Sequence, residues 1–411
     1  MISLPRRIIT LRSVGASWLP FQRPRRASGQ AEACSPGARQ MADTDAHRDF
    51  CDVLEDRSPP PATSRRIGPI SLGKDDAARF QEATAAIRAN LVGRLKPFTT
   101  PFGSKPLVYA DWTATGRPLA MIERYLLEEV GPMYGNTHTT TSITGEQTTC
   151  FRHEARQVVA QAVNAKVTGR ASEDVVLFTG SGATAAVAKL VSALGLSAPL
   201  PPDASPLDRP VVLVGPYEHH SNLLPWRESC AEVVAVGEAP EGGVDLLDLQ
   251  EKIAAYADRR LKMGSFSAAS NVTGRLADAD AVTATLHRGG FLAFWDYATA
   301  GPHAKVDMNP VGLGADQSLV YKDAIFLSGH KLTGGPGTPG VLVVKKKLLA
   351  NKVPATPGGG TVFFVTPTDH RYLSNKEERE EGGTPDIMGS IRLGLAVQLR
   401  EQVGVASMEV R

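Results

Sequence analysis

The stretch FLSGHKLTGGPGTPG, residues 326–340, runs from apolar residues into Ser328, His330 and Lys331 and then into glycine and proline. A lysine after an apolar run is ordinarily a solvated loop residue, and the glycines need only mean a turn. Four other apolar runs also end on residues able to do chemistry. VVLVGPY is followed by Glu218, His219, His220, Ser221 and Asn222; KMGSFSAAS is followed by Asn271; FLAFWD ends on Asp296; and DVVLFTG opens into TGSGAT, Thr179–Thr184. Each has a bland reading alone: a loop histidine, a turn-forming asparagine, a capping aspartate, a glycine turn. Together they form a lysine, a carboxylate, an imidazole, an amide and a small-residue loop, provided that the chain brings the runs side by side.

The elements that must position them are legible as strands at 174–180, 211–217, 232–237, 262–270, 291–296, 324–329 and 340–344. Amphipathic stretches such as LLDLQEKIAAYADRR and DADAVTATLHRGG lie between several of them, so the units read as βαβ. The fold class is therefore α/β, with a mainly parallel sheet in a three-layer sandwich. In such sheets ligands collect at the carboxyl ends of the strands, where the reactive residues stand here. TGSGAT, leading into the helix-like AAVAKLVSAL, presents backbone N–H groups suited to a phosphate.

Pyridoxal phosphate needs this combination: a lysine for its aldehyde, a carboxylate for its pyridine nitrogen and donors for its phosphate. An imidazole can stack on its ring and an amide can bond its ring hydroxyl. The competing reading, a nucleotide phosphate on TGSGAT, lacks both G-x-x-x-x-G-K-[ST] and G-x-G-x-x-G.

The chain has 411 residues, 42% hydrophobic and 21% charged, enough for one large core and a smaller domain. A net charge of +2 gives no electrostatic case for nucleic acid or an anionic membrane, and no apolar run approaches 18 residues. Cys34, Cys51, Cys150 and Cys230 form no C-x-x-C pair, the histidines form no H-E-x-x-H pattern, and no metal site is expected. From Met1 to Ala31 there is no acid, while Arg6, Arg7, Arg12, Arg23, Arg25 and Arg26 interleave with Ser, Leu and Ile. That is the pattern of an organelle transit peptide, mitochondrial or plastid; the alternative is a start at Met41 and a cytoplasmic protein. Residues 1–66 are set aside as disordered, 67–386 read as a cofactor-binding large domain, and 387–411 as the start of a helix.

The chain also resembles a known family. GSGAT, YEHHSNLLPW, SNVTG, WDYATAG and SGHKLTGGPGTPGVLVV stand in the order and near the spacing of the class V aminotransferases, pyridoxal-phosphate enzymes of fold type I. They look most like the cysteine desulfurase and selenocysteine lyase group. YADWTATG (109–116) resembles the opening strand and turn, GPMYGNTHTTTSITGEQTTCFRHEARQVVA the dimer-contact loop and helix, and TPGGGTVFFV and REEGGTPDIMGSIRLGL later signatures.

The resemblance implies that Lys331 is the Schiff-base lysine and proton shuttle and Asp296 the partner of the pyridine nitrogen. It implies that His219 stacks on the ring and Asn271 meets the ring hydroxyl. Ala183, Thr184, Ser328 and His330 would hold the phosphate, and Thr361 would reach the cofactor of a neighbouring subunit in a homodimer with shared sites. Thr299 stands where such enzymes usually carry glutamine, which leaves the hydrogen bond there in question. The substrate implied is an amino acid, with desulfurase-like C–S cleavage as the reaction. Another class V specificity, or a cofactor-binding fragment without turnover, is the alternative. The small C-terminal domain, source of a substrate-binding arginine and of a desulfurase's sulfur-accepting cysteine, is expected to be missing, and no cysteine follows Cys230.

Overall fold

The computed structural model describes residues 74–405 and 408, apart from 140, 170–171 and 311–316. The arginine-rich start, 1–66, lies outside the described residues. Contacts divide the chain after Asn90: the first unit contributes the helix Lys74–Asn90, and the second, from Leu91 onward, carries the sheet.

The sheet has seven strands. They are β1 (Asp174–Thr179), β2 (Val211–Val214), β3 (Glu232–Ala235), β4 (Lys262–Ser267), β5 (Leu292–Asp296), β6 (Ala324–Ser328) and β7 (Gly340–Lys345). Their spatial order is β1-β7-β6-β5-β4-β2-β3. Four pairings are parallel, and the two made by β7 are antiparallel, so β7 alone runs against the rest. All seven strands stand where the sequence places them. Several are shorter at their carboxyl ends, because Gly215–Tyr217 and Ala268–Ser270 leave the ladder to enter loops.

Strands β1, β2 and β7 are buried at every residue, which explains why their valine-rich runs show no polar alternation. Alternate residues nevertheless face opposite layers. Phe326 and Leu342 belong to the core cluster with Ala186, Val187 and Leu190 of helix α2 (Gly182–Ala193). Their neighbours Leu327 and Val341 line a cavity with Val159 of α1 (Ile143–Ala162) and with Leu393 and Val397 of α5 (Ile387–Val403). Helices thus cover both faces. Helices α3 (Leu246–Ala255) and α4 (Ala279–Arg288) are opened by Asp245 and Asp278, whose carboxylates accept free N–H groups of the first turn.

The segment at 109–116 meets expectation in part: the turn forms, with Ala114 N–H on Asp111 O, but the strand does not. Its backbone is committed elsewhere, since Gly116 N–H donates to His330 O at 2.9 Å.

Candidate active site

Parallel pairing puts the carboxyl ends of β2, β4, β5 and β6 side by side on one edge. That edge brings together the turns bearing Glu218 and His219, Asn271, Asp296, and His330 with Lys331. Asp296 closes β5 in register with Ser267 of β4 and Phe326 of β6. Lys331 ends the single 3-10 turn Gly329–Lys331 that follows β6.

Two glycines fix how close the surrounding backbone comes. A Cβ at Gly116 would fall 2.0 Å from Leu332 O, so the 109–116 turn lies directly against the lysine turn. A Cβ at Gly340 would fall 2.0 Å from Gly182 O, so β7 abuts the start of α2. Gly182 has φ of +55°, a left-handed conformation that glycine adopts without strain.

Asp296 is 4% exposed, and its Oδ1 accepts the Ala298 N–H at 2.8 Å. It has no ion pair among the described residues. Burial pushes its carboxyl above the usual range, against the pull of the Ala298 N–H, Lys331 and His219. Lys331 is half-buried and makes no hydrogen bond among the described residues. Burial draws its amine below the ordinary lysine range, opposed by the charge of Asp296. Acid and amine therefore feel each other across adjacent strands without touching.

His219 is exposed and caps the turn His220–Asn222, where its Nδ1 accepts the Ser221 N–H at 3.1 Å. A backbone N–H can only donate, so the proton of a neutral His219 sits on Nε2. Thr184 Oγ1 donates to Ser221 Oγ at 2.7 Å, and that hydroxyl lies 3.1 Å from His219 Nδ1. A hydroxyl chain thus ties the start of α2 to the imidazole. Ser328 Oγ accepts the Ala183 N–H at 2.9 Å, so Ala183 braces Ser328 and does not present an open donor. His330 Nδ1 lies 3.0 Å from Thr115 Oγ1, and burial, then Lys331, lowers its pKa.

Asn271 and Thr299 are half-buried in the turns after β4 and β5, and neither side chain makes a hydrogen bond among the described residues. Thr361 shares no hydrogen bond with these residues among the described ones. It is fully buried, with its hydroxyl donating to Gly358 O at 2.6 Å.

Three residues that the sequence reading left without a role enter here. Thr115 caps His330, Ser221 links Thr184 to His219, and Glu218 bonds across to β4. Glu218 Oε1 accepts the Ser267 N–H at 2.8 Å, and Oε2 meets Asn222 Nδ2 at 2.6 Å and Ser267 Oγ at 2.7 Å. The signal in the sequence was an acid standing directly before the histidine, but its partners lie 4 and 49 residues away.

Similarity to known proteins bears on the family and the fold. A "Probable cysteine desulfurase" of Halalkalibacterium halodurans is 28% identical over 310 residues, 74% of this chain and 69% of that protein. Another of Pyrococcus abyssi is 29% identical, covering 74% of this chain and 70% of that one. The apo cysteine desulfurase of Thermococcus onnurineus superposes with a TM-score of 0.61 at 23% identity, over 78% of this chain and 71% of that one, and speaks to the fold. The Escherichia coli cysteine desulfurase CsdA superposes with a TM-score of 0.52 at 26% identity, over 70% of this chain and 66% of that one. The Aminotransferase class-V family model matches residues 108–411, the whole stretch that carries the sheet and its reactive edge, and the chain belongs to that family.

Proposed function

We propose that this chain is a pyridoxal-phosphate enzyme that acts on an amino acid and cleaves the C–S bond of cysteine. The observation that carries the reading is the pair at the sheet edge: a buried Asp296 with no ion pair among the described residues and, one strand away, Lys331 with a depressed amine. These residues fit the cofactor. A desolvated acid gains from a cationic ring N–H placed against it, and an amine without a hydrogen-bond partner is open to an aldehyde. The first turn of α2, with Thr184, Ser328 and His330 around it, suits a phosphate.

Bound pyridoxal phosphate supplies an electron sink for the pair left when a bond to the substrate Cα breaks. Lys331 Nζ takes the Cα proton and returns it, and its lowered pKa leaves more of it neutral for that work. Asp296 holds the proton at the ring nitrogen. His219, kept in its tautomer by Ser221, would stack on the cofactor ring. Asn271 and Thr299 have side-chain donors still uncommitted for the ring hydroxyl. Cys150 of α1 and Cys230 are half-buried, and in this reading the departing sulfur passes to a thiol acceptor. The desulfurases named above support cysteine as substrate. In this reading the working unit is a homodimer with shared sites. The hairpin after Thr361 supports it, since Phe363 is 72% and Val365 67% exposed and both need a cover.

The test is the visible absorption of the full chain with pyridoxal phosphate, beside Lys331→Ala, before and after L-cysteine or L-alanine with dithiothreitol as sulfur acceptor. A lysine-linked band lost in the variant, with sulfide and alanine formed from L-cysteine, is the expected result. A spectral response confined to L-alanine points to another class V specificity. A wild-type chain without the band overturns the reading.

A further inference from the structure

Glu218 stands next to His219 and does none of the work assigned above, yet its carboxyl is the best-connected polar group at the sheet edge. It joins two elements. Asn222 belongs to the same turn as His219, and Ser267 closes β4 opposite Asp296 of β5.

The roles within this network are fixed by two groups that can only donate, the Trp226 indole N–H and the Ser267 backbone N–H. Trp226 Nε1 donates to Asn222 Oδ1 at 3.3 Å, and Ser265 Oγ donates to the same oxygen at 2.7 Å. The Asn222 amide therefore turns its NH2 toward Glu218, and Oε2 must accept it. The Ser267 N–H likewise obliges Oε1 to accept. Only the Ser267 hydroxyl can act either way, donating to an ionised Oε2 or accepting from a protonated one. Burial raises the Glu218 carboxyl to about 7, with Asp296 adding to the rise and the Asn222 and Ser267 bonds opposing it. The bridge thus persists in both charge states.

We propose that Glu218 is a positioning residue that clamps the His219 turn onto the end of β4, and so sets where the imidazole stands relative to Asp296. The inference rests on the reading of His219 and Asp296 as cofactor residues. Glutamine in this place is nearly isosteric but cannot serve, because its NH2 must face either the Asn222 NH2 or the Ser267 N–H.

The experiment is a double-mutant cycle on the full chain, with pyridoxal phosphate affinity and the induced visible circular dichroism of the bound cofactor as readouts. E218Q is expected to weaken binding on the order of tenfold, as for loss of a hydrogen bond to a charged group, and to reduce the dichroic band. Ser267→Ala, which removes a single hydroxyl, shifts both in the same direction by roughly threefold. With His219→Ala already present, E218Q adds little, because the residue acts through the imidazole. Binding by E218Q within twofold of wild type, or losses that multiply in the double variant, would overturn the proposal. Wild-type chain that takes up no pyridoxal phosphate overturns the site reading itself and this inference with it; uptake with an indifferent Glu218 overturns the inference alone.

Discussion

Asp296 and Lys331 owe their properties to position: a carboxylate and an amine with ordinary intrinsic pKa values are desolvated at the ends of neighbouring buried strands. Asp296→Asn keeps the shape and the Ala298 contact but removes the charge proposed to hold a proton on the ring. Such a chain is expected to take up pyridoxal phosphate while losing on the order of 10²-fold or more in Cα proton exchange. Deuterium incorporation into L-alanine, followed by NMR, checks this. Exchange at the wild-type rate would leave Asp296 without its role. Lys331 itself can be titrated in the cofactor-free chain by the pH dependence of its acylation. Burial favours the neutral amine, so the midpoint should fall below 10.5, and Asp296→Asn, which removes the opposing charge, should lower it further.

At the scale of elements, the site depends on backbone approaching backbone. Gly116→Ala would drive a Cβ into the carbonyl of Leu332, and the 109–116 turn and the Lys331 turn would have to part. The expected cost is roughly 2–3 kcal/mol of stability with at least a tenfold loss of pyridoxal phosphate affinity. Gly103→Ala is the control. Its φ of +88° makes alanine strained, at about 1 kcal/mol, but nothing lies near its Cβ, so cofactor uptake should not change. Denaturant titration and a binding isotherm on both variants separate the two effects.

At the largest scale, an ion cluster joins segments of the sheet-bearing unit that are remote in sequence. Glu381, 7% exposed, pairs with Arg156 of α1 at 2.7 Å and with Arg152, and its Oε1 also accepts the Phe178 N–H of β1 at 2.6 Å. Burial alone would raise its carboxyl, but the two guanidiniums prevail and hold it at about 2. A carboxyl held below its unfolded value stabilises the fold above that value, 4.5, and the contribution disappears as pH falls toward about 2. Glu381→Gln leaves two buried guanidiniums underpaired and should cost on the order of 3–5 kcal/mol at neutral pH. Its stability should also vary less between pH 4.5 and 2 than that of wild type, as measured by denaturant titration across that window. At the same scale, sedimentation should find a dimer that Phe363→Ser weakens; a monomer at micromolar concentration would remove the shared-site part of the proposal.

The sequence by itself determined the strands and the residue types that end them. Valine-rich runs bounded by glycine and followed by Glu218-His219, Asn271, Asp296 and His330-Lys331 could be read locally, because a strand's hydrophobic pattern and the residue that ends it are properties of contiguous chain. The tertiary structure alone decided which ends meet. Thr179 pairs with Gly340 and Asp174 with Lys345, pairings that reverse β7, and no local pattern encodes them. The same holds for 109–116, where the resemblance implied a strand and turn and only the turn forms, with Gly116 N–H on the His330 carbonyl, for Ala183, whose N–H is taken by Ser328, and for Glu218, whose task depends on Ser267. Residue type is a local fact, whereas desolvation and hydrogen-bond partnership arise when distant segments pack, and those two effects make an ordinary lysine and aspartate a candidate site.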